Sequence, residues 1–242
     1  LCENGTVKES IHMTNGKLTG VGVGPGDPEL LTLKAVRVLR EADVVAVPDK
    51  GAGERTALSI AAAHIQDKPI LSCVTPMVRD KAALAEAHKA VADRLCALLE
   101  EGKRVAFITL GDPSIYSTYL YVHRLVLARG YAAELVPGVP SFCAAAASLN
   151  MGLCEGSERL LIVPASHRDI SDCLDTDANL VFMKAGKDLG ALRDRLARER
   201  LLENASLAAN CGMEGEVLCP RLSELEEETG YFSLVVVKRG EK

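Results

Sequence analysis

Tryptophan is absent, and aromatic side chains supply only 4% of the 242 residues, so any core must be aliphatic. Positive charge is not in excess either. The formal net charge is −5 with both signs interspersed, which excludes a global basic field for holding nucleic acid. A local Arg and Lys cluster would still suffice for a polyanionic small substrate. Long apolar runs are missing too: stretches such as Phe142 to Ala147 and Leu234 to Val237 are far too short to span a bilayer. No secretory signal is visible.

Cysteine is plentiful but unpaired in pattern. The eight cysteines, at 2, 73, 96, 143, 154, 173, 211 and 219, form no CxxC pair and match no zinc spacing. The five histidines show neither HExxH nor an i, i+4 pair. The expectation is a cytoplasmic protein with reduced thiols and no protein-bound metal, in contact with neither membrane nor nucleic acid. His12-Met13 resembles a cloning junction, so residues 1–12 are set aside as vector-derived, with Met13 as the native start.

What is present is alternation. Lys17 to Val23 is a short strand-like run ending in glycines. Pro28 to Glu41 reads as a helix with Asp27 as its cap, Pro28 in the first turn, and Leu30, Leu33, Val36 and Val38/Leu39 as its buried stripe. Strands follow at Val44 to Val47, Pro69 to Cys73, Arg104 to Thr109 and Ala133 to Val136. Helices are expected at Ala57 to Ile65, Lys81 to Glu101 and Ser117 to Arg129. This rhythm predicts an open, mostly parallel sheet covered by helices. Pro137-Gly138-Val139-Pro140-Ser141 breaks it. The half beyond, with a helix at Phe142 to Leu149 and another at Leu189 to Leu202, is richer in strands. It predicts a second α/β domain with a mixed sheet. The division is an N-terminal domain over 13–139 and a C-terminal domain over 140–242.

Gly20-Val21-Gly22-Val23-Gly24-Pro25-Gly26-Asp27-Pro28 invites a dinucleotide-binding reading. Counting GxGxxG from Gly20, Gly22 or Gly24 puts Pro25, Asp27 or Glu29 where the third glycine must stand. The match fails each time, although Asp49 lies near the distance expected of a ribose-binding acid. Phosphate is disfavoured as well, because Asp27 would occupy the helix start with the wrong charge. The loop does offer exposed backbone at the carboxyl edge of a strand, where α/β sheets bind ligands; a plain strand-to-helix turn is the alternative.

A second such loop, Leu110-Gly111-Asp112-Pro113-Ser114-Ile115-Tyr116-Ser117-Thr118, follows another strand. The G-P-G-D-P loop, the later G-D-P loop and the V-P-G-x-x-S junction, in this order, resemble the tetrapyrrole (corrin/porphyrin) methylase family over Lys17 to Val237. The resemblance implies two α/β domains with a cleft between them, a homodimer, and S-adenosylmethionine bound in the cleft and leaving as S-adenosylhomocysteine. By motif matching, Leu110, Gly111, Asp112, Ile115, Pro140, Ser141 and Met183 contact that donor, as do Asn210 and Ser233. Pro25 lines the cleft near the transferred methyl or the substrate.

Uroporphyrinogen methylases typically read G-G-D-P-x-x-F/Y-G. Here Leu110 replaces the first glycine and Ser117 follows Tyr116. The run from Gly111 to Thr118, Pro76-Met77-Val78-Arg79-Asp80 and Phe182-Met183-Lys184 are most similar to the precorrin-2 C20-methyltransferase subgroup of cobalamin synthesis, whose substrate is precorrin-2 or cobalt-factor II. A carboxylate-rich tetrapyrrole calls for cations, and Arg79 and Lys184 are the candidates against a reading as solvated charges. Tyr116, Tyr119 and Tyr121 are candidates to touch the macrocycle, Tyr116 foremost, against a role in the core. Asp112 either positions the donor or caps a helix beginning near Ser114. His64, His88, His123 and His167 read as structural.

Overall fold

A computed structural model describes residues 16–49, 56–75, 78, 80–165, 170–226 and 229–239. Arg79, Pro76, Met77, His167 and the proposed vector-derived residues 1–12 lie outside them. One compact unit comprises the described residues up to Val23 together with Leu30–Gly138; the other comprises Gly24–Glu29 and the described residues from Val139 onward. The first glycine loop therefore groups with the second unit, although its strand belongs to the first.

In the first unit, β1 (Lys17–Gly22), α1 (Leu33–Glu41), β2 (Val44–Asp49), α2 (Thr56–Ala61), β3 (Ile70–Val74), α3 (Lys81–Glu100), β4 (Arg104–Thr109), α4 (Tyr119–Ala128) and β5 (Ala132–Val136) follow in chain order. The strands form a sheet of order β3-β2-β4-β1-β5 with every pairing parallel. Alternation decides which side chain meets which helix layer. Val105 and Phe107 of β4 join the cluster under α3 and α4 with Leu95, Tyr119 and Val122. Ala106 and Ile108 join the other cluster, with Leu39 and Ile60 of α1 and α2. Burial on both faces explains the nearly unbroken apolar strands.

Two helix starts differ from expectation. Residues 28–41 are not one helix: Pro28–Leu30 is a single 3-10 turn and α1 begins at Leu33. The Asp27 carboxylate accepts from Glu29 N at 2.8 Å, which closes a turn only two residues on. Thr32 is the cap, accepting from Ala35 N at 3.1 Å. Leu33 consequently points outward at 89% exposure, and the buried stripe is Ala35 and Leu39. Likewise α4 starts at Tyr119, not Ser117. Tyr116 has left-handed backbone (φ 47°), and Ser117 Oγ turns to Thr109 Oγ at 3.0 Å while accepting from Tyr119 N at 3.2 Å.

In the second unit, α5 (Ser141–Ser148), β6 (Leu160–Pro164), α6 (Ser171–Leu174), β7 (Asn179–Met183), α7 (Leu189–Arg198), β8 (Ala205–Ala209), β9 (Val217–Cys219) and β10 (Ser233–Val237) build a sheet of order β6-β7-β10-β8-β9. β6 and β7 are parallel, and the other pairings are antiparallel. This is the mixed sheet the strand-rich sequence predicts. Leu180, Phe182, Leu207, Val235 and Val237 pack with Leu192 and Leu196 of α7 in one core. α7 ends at Arg198 rather than Leu202, because the chain turns through left-handed Arg200 (φ 57°).

Candidate active site

Adjacent strands β1 and β4 lead to helices on opposite faces of the first sheet: α1 packs on one face and α4 on the other. Such divergence at the carboxyl ends of the strands marks the usual ligand position in open α/β sheets. Leu110, Gly111 and Asp112 follow β4 directly. Gly111 has φ 69°. A Cβ on Gly22 would lie 2.6 Å from Gly111 O, and one on Gly138 would collide with the same oxygen. Three strand-end backbones thus meet where no side chain fits.

Asp112 is buried, at 9% exposure. One carboxylate oxygen accepts from Ser114 N at 2.8 Å and from Ser114 Oγ; the other accepts from Gly138 N at 3.0 Å. The carboxylate therefore ties the loop after β4 to the loop after β5. It caps no helix near Ser114, since the helix begins five residues later at Tyr119. Leu110 and Ile115 are half-buried and Tyr116 is 49% exposed.

Tyr119 and Tyr121 have definite partners. Tyr119 is fully buried, filling the space left by Gly20, where a Cβ would meet its ring. Its hydroxyl donates to Glu134 O at 3.2 Å and lies 3.0 Å from His123 Nδ1. That burial removes Tyr119 from contact with any macrocycle and pushes its pKa up. Tyr121 stacks on His88 with centroids 4.9 Å apart. Burial pulls both His88 and His123 below their ordinary pKa, as expected of neutral structural imidazoles.

In the second unit the candidates gather at one end of the sheet. Met183 closes β7, Asn210 follows β8, and Ser233 opens the antiparallel β10, opposite Ala209 and next to the residue that pairs with Met183. Asn210 N donates to Phe232 O at 3.1 Å. Ser233 is buried and its hydroxyl donates to Gly230 O at 2.6 Å, closing the turn before β10. Pro140 precedes α5 and offers its first turn no side-chain acceptor; its carbonyl takes the Cys143 and Ala144 amides at 3.0 and 3.3 Å, so only the Ser141 and Phe142 amides are left for another partner. Pro25 is buried.

Backbone strain marks the same residues. Among the described residues, the non-glycine positions with positive φ are Tyr116, Asn150, Lys184, Arg200 and Asn210. For Tyr116, Lys184 and Arg200 this costs about 1–2 kcal/mol each, whereas asparagine adopts it readily, and three of the five are candidate site residues. Such outliers concentrate at ligand-binding positions. Half-buried Leu110 and Ile115 in the first unit, and half-buried Met183 in the second, each present an apolar side chain of the kind a flat purine packs on. Strand-end backbone and the start of α5 suit the amino-acid part of an adenosyl donor. Within each unit, the chemistry of the residues present fits that group.

An open parallel sheet joined to a mixed one, with glycine and Gly-Asp-Pro loops at the strand ends, defines a class. Residues 17–226 match the Tetrapyrrole (Corrin/Porphyrin) Methylases, and the chain belongs to that family. It is 35% identical to the probable cobalt-precorrin-2 C(20)-methyltransferase of Methanocaldococcus jannaschii, covering 92% of this chain and 96% of that one. It is 31% identical to the precorrin-2 C(20)-methyltransferase of a Sinorhizobium species, over 92% and 95% of the two chains. Among solved structures, the uroporphyrin-III-C-methyltransferase of Thermus thermophilus superposes with a TM-score of 0.71 at 26% identity, covering 93% of each chain. No described helix is long and apolar enough to cross a membrane.

Proposed function

We propose that this protein transfers the methyl group of S-adenosylmethionine to C20 of precorrin-2 or of its cobalt-bearing counterpart, cobalt-factor II. The observation that carries this reading is the end-to-end similarity to two relatives that share that activity in name. The strand-end loops support it, because they offer positioned backbone where the family signature falls. The dinucleotide alternative lacks its third glycine.

When bound, the donor supplies an electrophilic sulfonium methyl, open to direct displacement by an electron-rich ring carbon. The protein's task is then alignment, which can lower such a barrier by about 7–11 kcal/mol. Leu110, Gly111, Asp112 and Ile115 hold the donor, together with Pro140, Ser141, Met183, Asn210 and Ser233. In this reading Asp112 acts mainly by fixing Gly111 and Gly138, since both its oxygens are engaged by the loops. Tyr116, half-exposed in the loop after β4, faces the macrocycle, and Pro25 borders the methyl. Lys184 and Arg79 pair with substrate carboxylates. The protein works as a homodimer in the cytoplasm, with the chain divided at 139/140.

Assaying precorrin-2 and cobalt-factor II side by side tests the reading. One of the two is expected to be methylated once, with S-adenosylhomocysteine as coproduct. Turnover of neither, or methylation at another ring carbon as a sibling methylase would give, contradicts it.

A further inference from the structure

The turn after β8 is held by its own bonds. Asn210 has φ 50° and its Nδ2 donates to Gly215 O at 3.0 Å. Met213 N donates to Asn210 O at 2.8 Å, and Gly212 N donates to Glu216 Oε1 at 3.1 Å. The Cys211 thiol lies 3.2 Å from Ser148 Oγ at the end of α5, which anchors the turn to that helix.

Onto this turn packs the Gly24–Glu29 segment. A Cβ on Gly26 would collide with Cys211 O and lie 2.7 Å from Met213 Cγ. A Cβ on Gly212 would lie 2.7 Å from Asp27 N and 3.0 Å from Asp27 Cβ. Each glycine excludes a side chain because the other segment's backbone is already there. Gly212 also has φ 72°, so its conformation and its surroundings both require glycine. The segment on the far side of this contact contains Pro25, and the turn itself begins at Asn210.

We propose that Gly212 is a positioning residue for methyl transfer: through its backbone contact with Gly26 and Asp27 it fixes Pro25, while touching neither donor nor macrocycle itself. The inference rests on the methyltransferase reading above. One braced piece of chain then carries a donor-side residue, Asn210, and sets the substrate-side loop. The competing explanation is that both glycines only permit folding, in which case any substitution costs stability and activity together.

The test compares four variants with the wild-type protein, measuring thermal stability, S-adenosylhomocysteine affinity and kcat/KM for the tetrapyrrole. Gly212→Ala is expected to lower kcat/KM by about tenfold or more, since small misplacements of reacting groups carry large penalties. Its S-adenosylhomocysteine affinity is expected to stay within about threefold. Gly130→Ala is the control for backbone strain: Gly130 has φ 83° with no atom within 4 Å of its Cβ position, so it loses stability but keeps wild-type turnover. Glu216 is exposed, so Glu216→Ala decides the matter if Gly212→Ala does not fold. Releasing the Gly212 amide is expected to lower kcat/KM about twofold to tenfold, the worth of one hydrogen bond. Glu216→Gln, which keeps an acceptor oxygen, restores it. Wild-type turnover in Gly212→Ala, or in Glu216→Ala where the former is unfolded, overturns the proposal. So does a loss of S-adenosylhomocysteine binding in step with turnover. An inactive wild-type protein would instead overturn the function reading, and this one with it; a missing variant effect against an active wild type overturns the positioning role alone.

Discussion

Asp112 shows what a single buried carboxylate does here. Its oxygens accept from Ser114 and from Gly138, and charge-assisted bonds of this kind contribute about 1.5–3 kcal/mol each. Asp112→Ala is expected to weaken S-adenosylhomocysteine affinity by more than about tenfold, measured by titration calorimetry. Asp112→Asn should lose nearly as much, because its NH2 must face one of two N–H donors; wild-type affinity in either variant contradicts the assigned role. The type of residue at this position was legible in the Gly-Asp-Pro run. Its partner Gly138 was not, since nothing local reports a bond spanning 26 residues. The same holds for Tyr119: its place on an amphipathic helix left core and ligand contact both open, and only the facing Gly20 decides for core. Gly20→Ala, which drives a methyl into that ring, is expected to cost about 1–3 kcal/mol in urea unfolding; an unchanged midpoint would contradict the packing.

At the scale of elements, strands were easier to read than helix starts. A parallel strand buried on both faces is a short apolar run whatever surrounds it. A helix start depends on which of several capping side chains meets an amide, and Thr32 outcompeted Asp27. Thr32→Ala is accordingly expected to destabilise the fold by about 1 kcal/mol, and Asp27→Ala by less, in matched thermal melts. Helices α3 and α4 also set the acid response. His88 and His123 are held below their ordinary value of 6.5 by burial, so the unfolded chain takes up protons first as pH falls. Stability is then full above about pH 7 and declines as pH drops through 6.5 toward the folded values. Asp43 and Glu134 are held below their ordinary 3.8 and 4.5 by hydrogen bonds from Arg104 and Lys17. Their contribution is present above those values and is lost at lower pH, giving a second stage of decline. Melting temperature followed from about pH 7.5 to 5 should fall, and less steeply in a His88→Gln, His123→Gln double variant. An equal slope in the variant would contradict this origin.

At the scale of the molecule, two sheets of different character divide the candidate residues. The loop after β4 lies in the first unit, whereas the strand ends of the mixed sheet, the start of α5 and Gly24–Glu29 lie in the second. Order along the chain made the class legible, because three short motifs recur at the carboxyl ends of strands or at the junction after β5. The contact between Gly26 and Gly212 was not legible, since glycines nearly two hundred residues apart carry no mark of meeting. If the glycine loop served a nicotinamide cofactor after all, calorimetry would find NADH bound and S-adenosylhomocysteine not; the reverse is expected. The most direct measurement supplies S-adenosylmethionine carrying a 13C-labelled methyl with precorrin-2 or cobalt-factor II, and reads the product by carbon NMR. One labelled methyl at C20 is the expected result, and label at any other ring carbon, or none, would contradict the account.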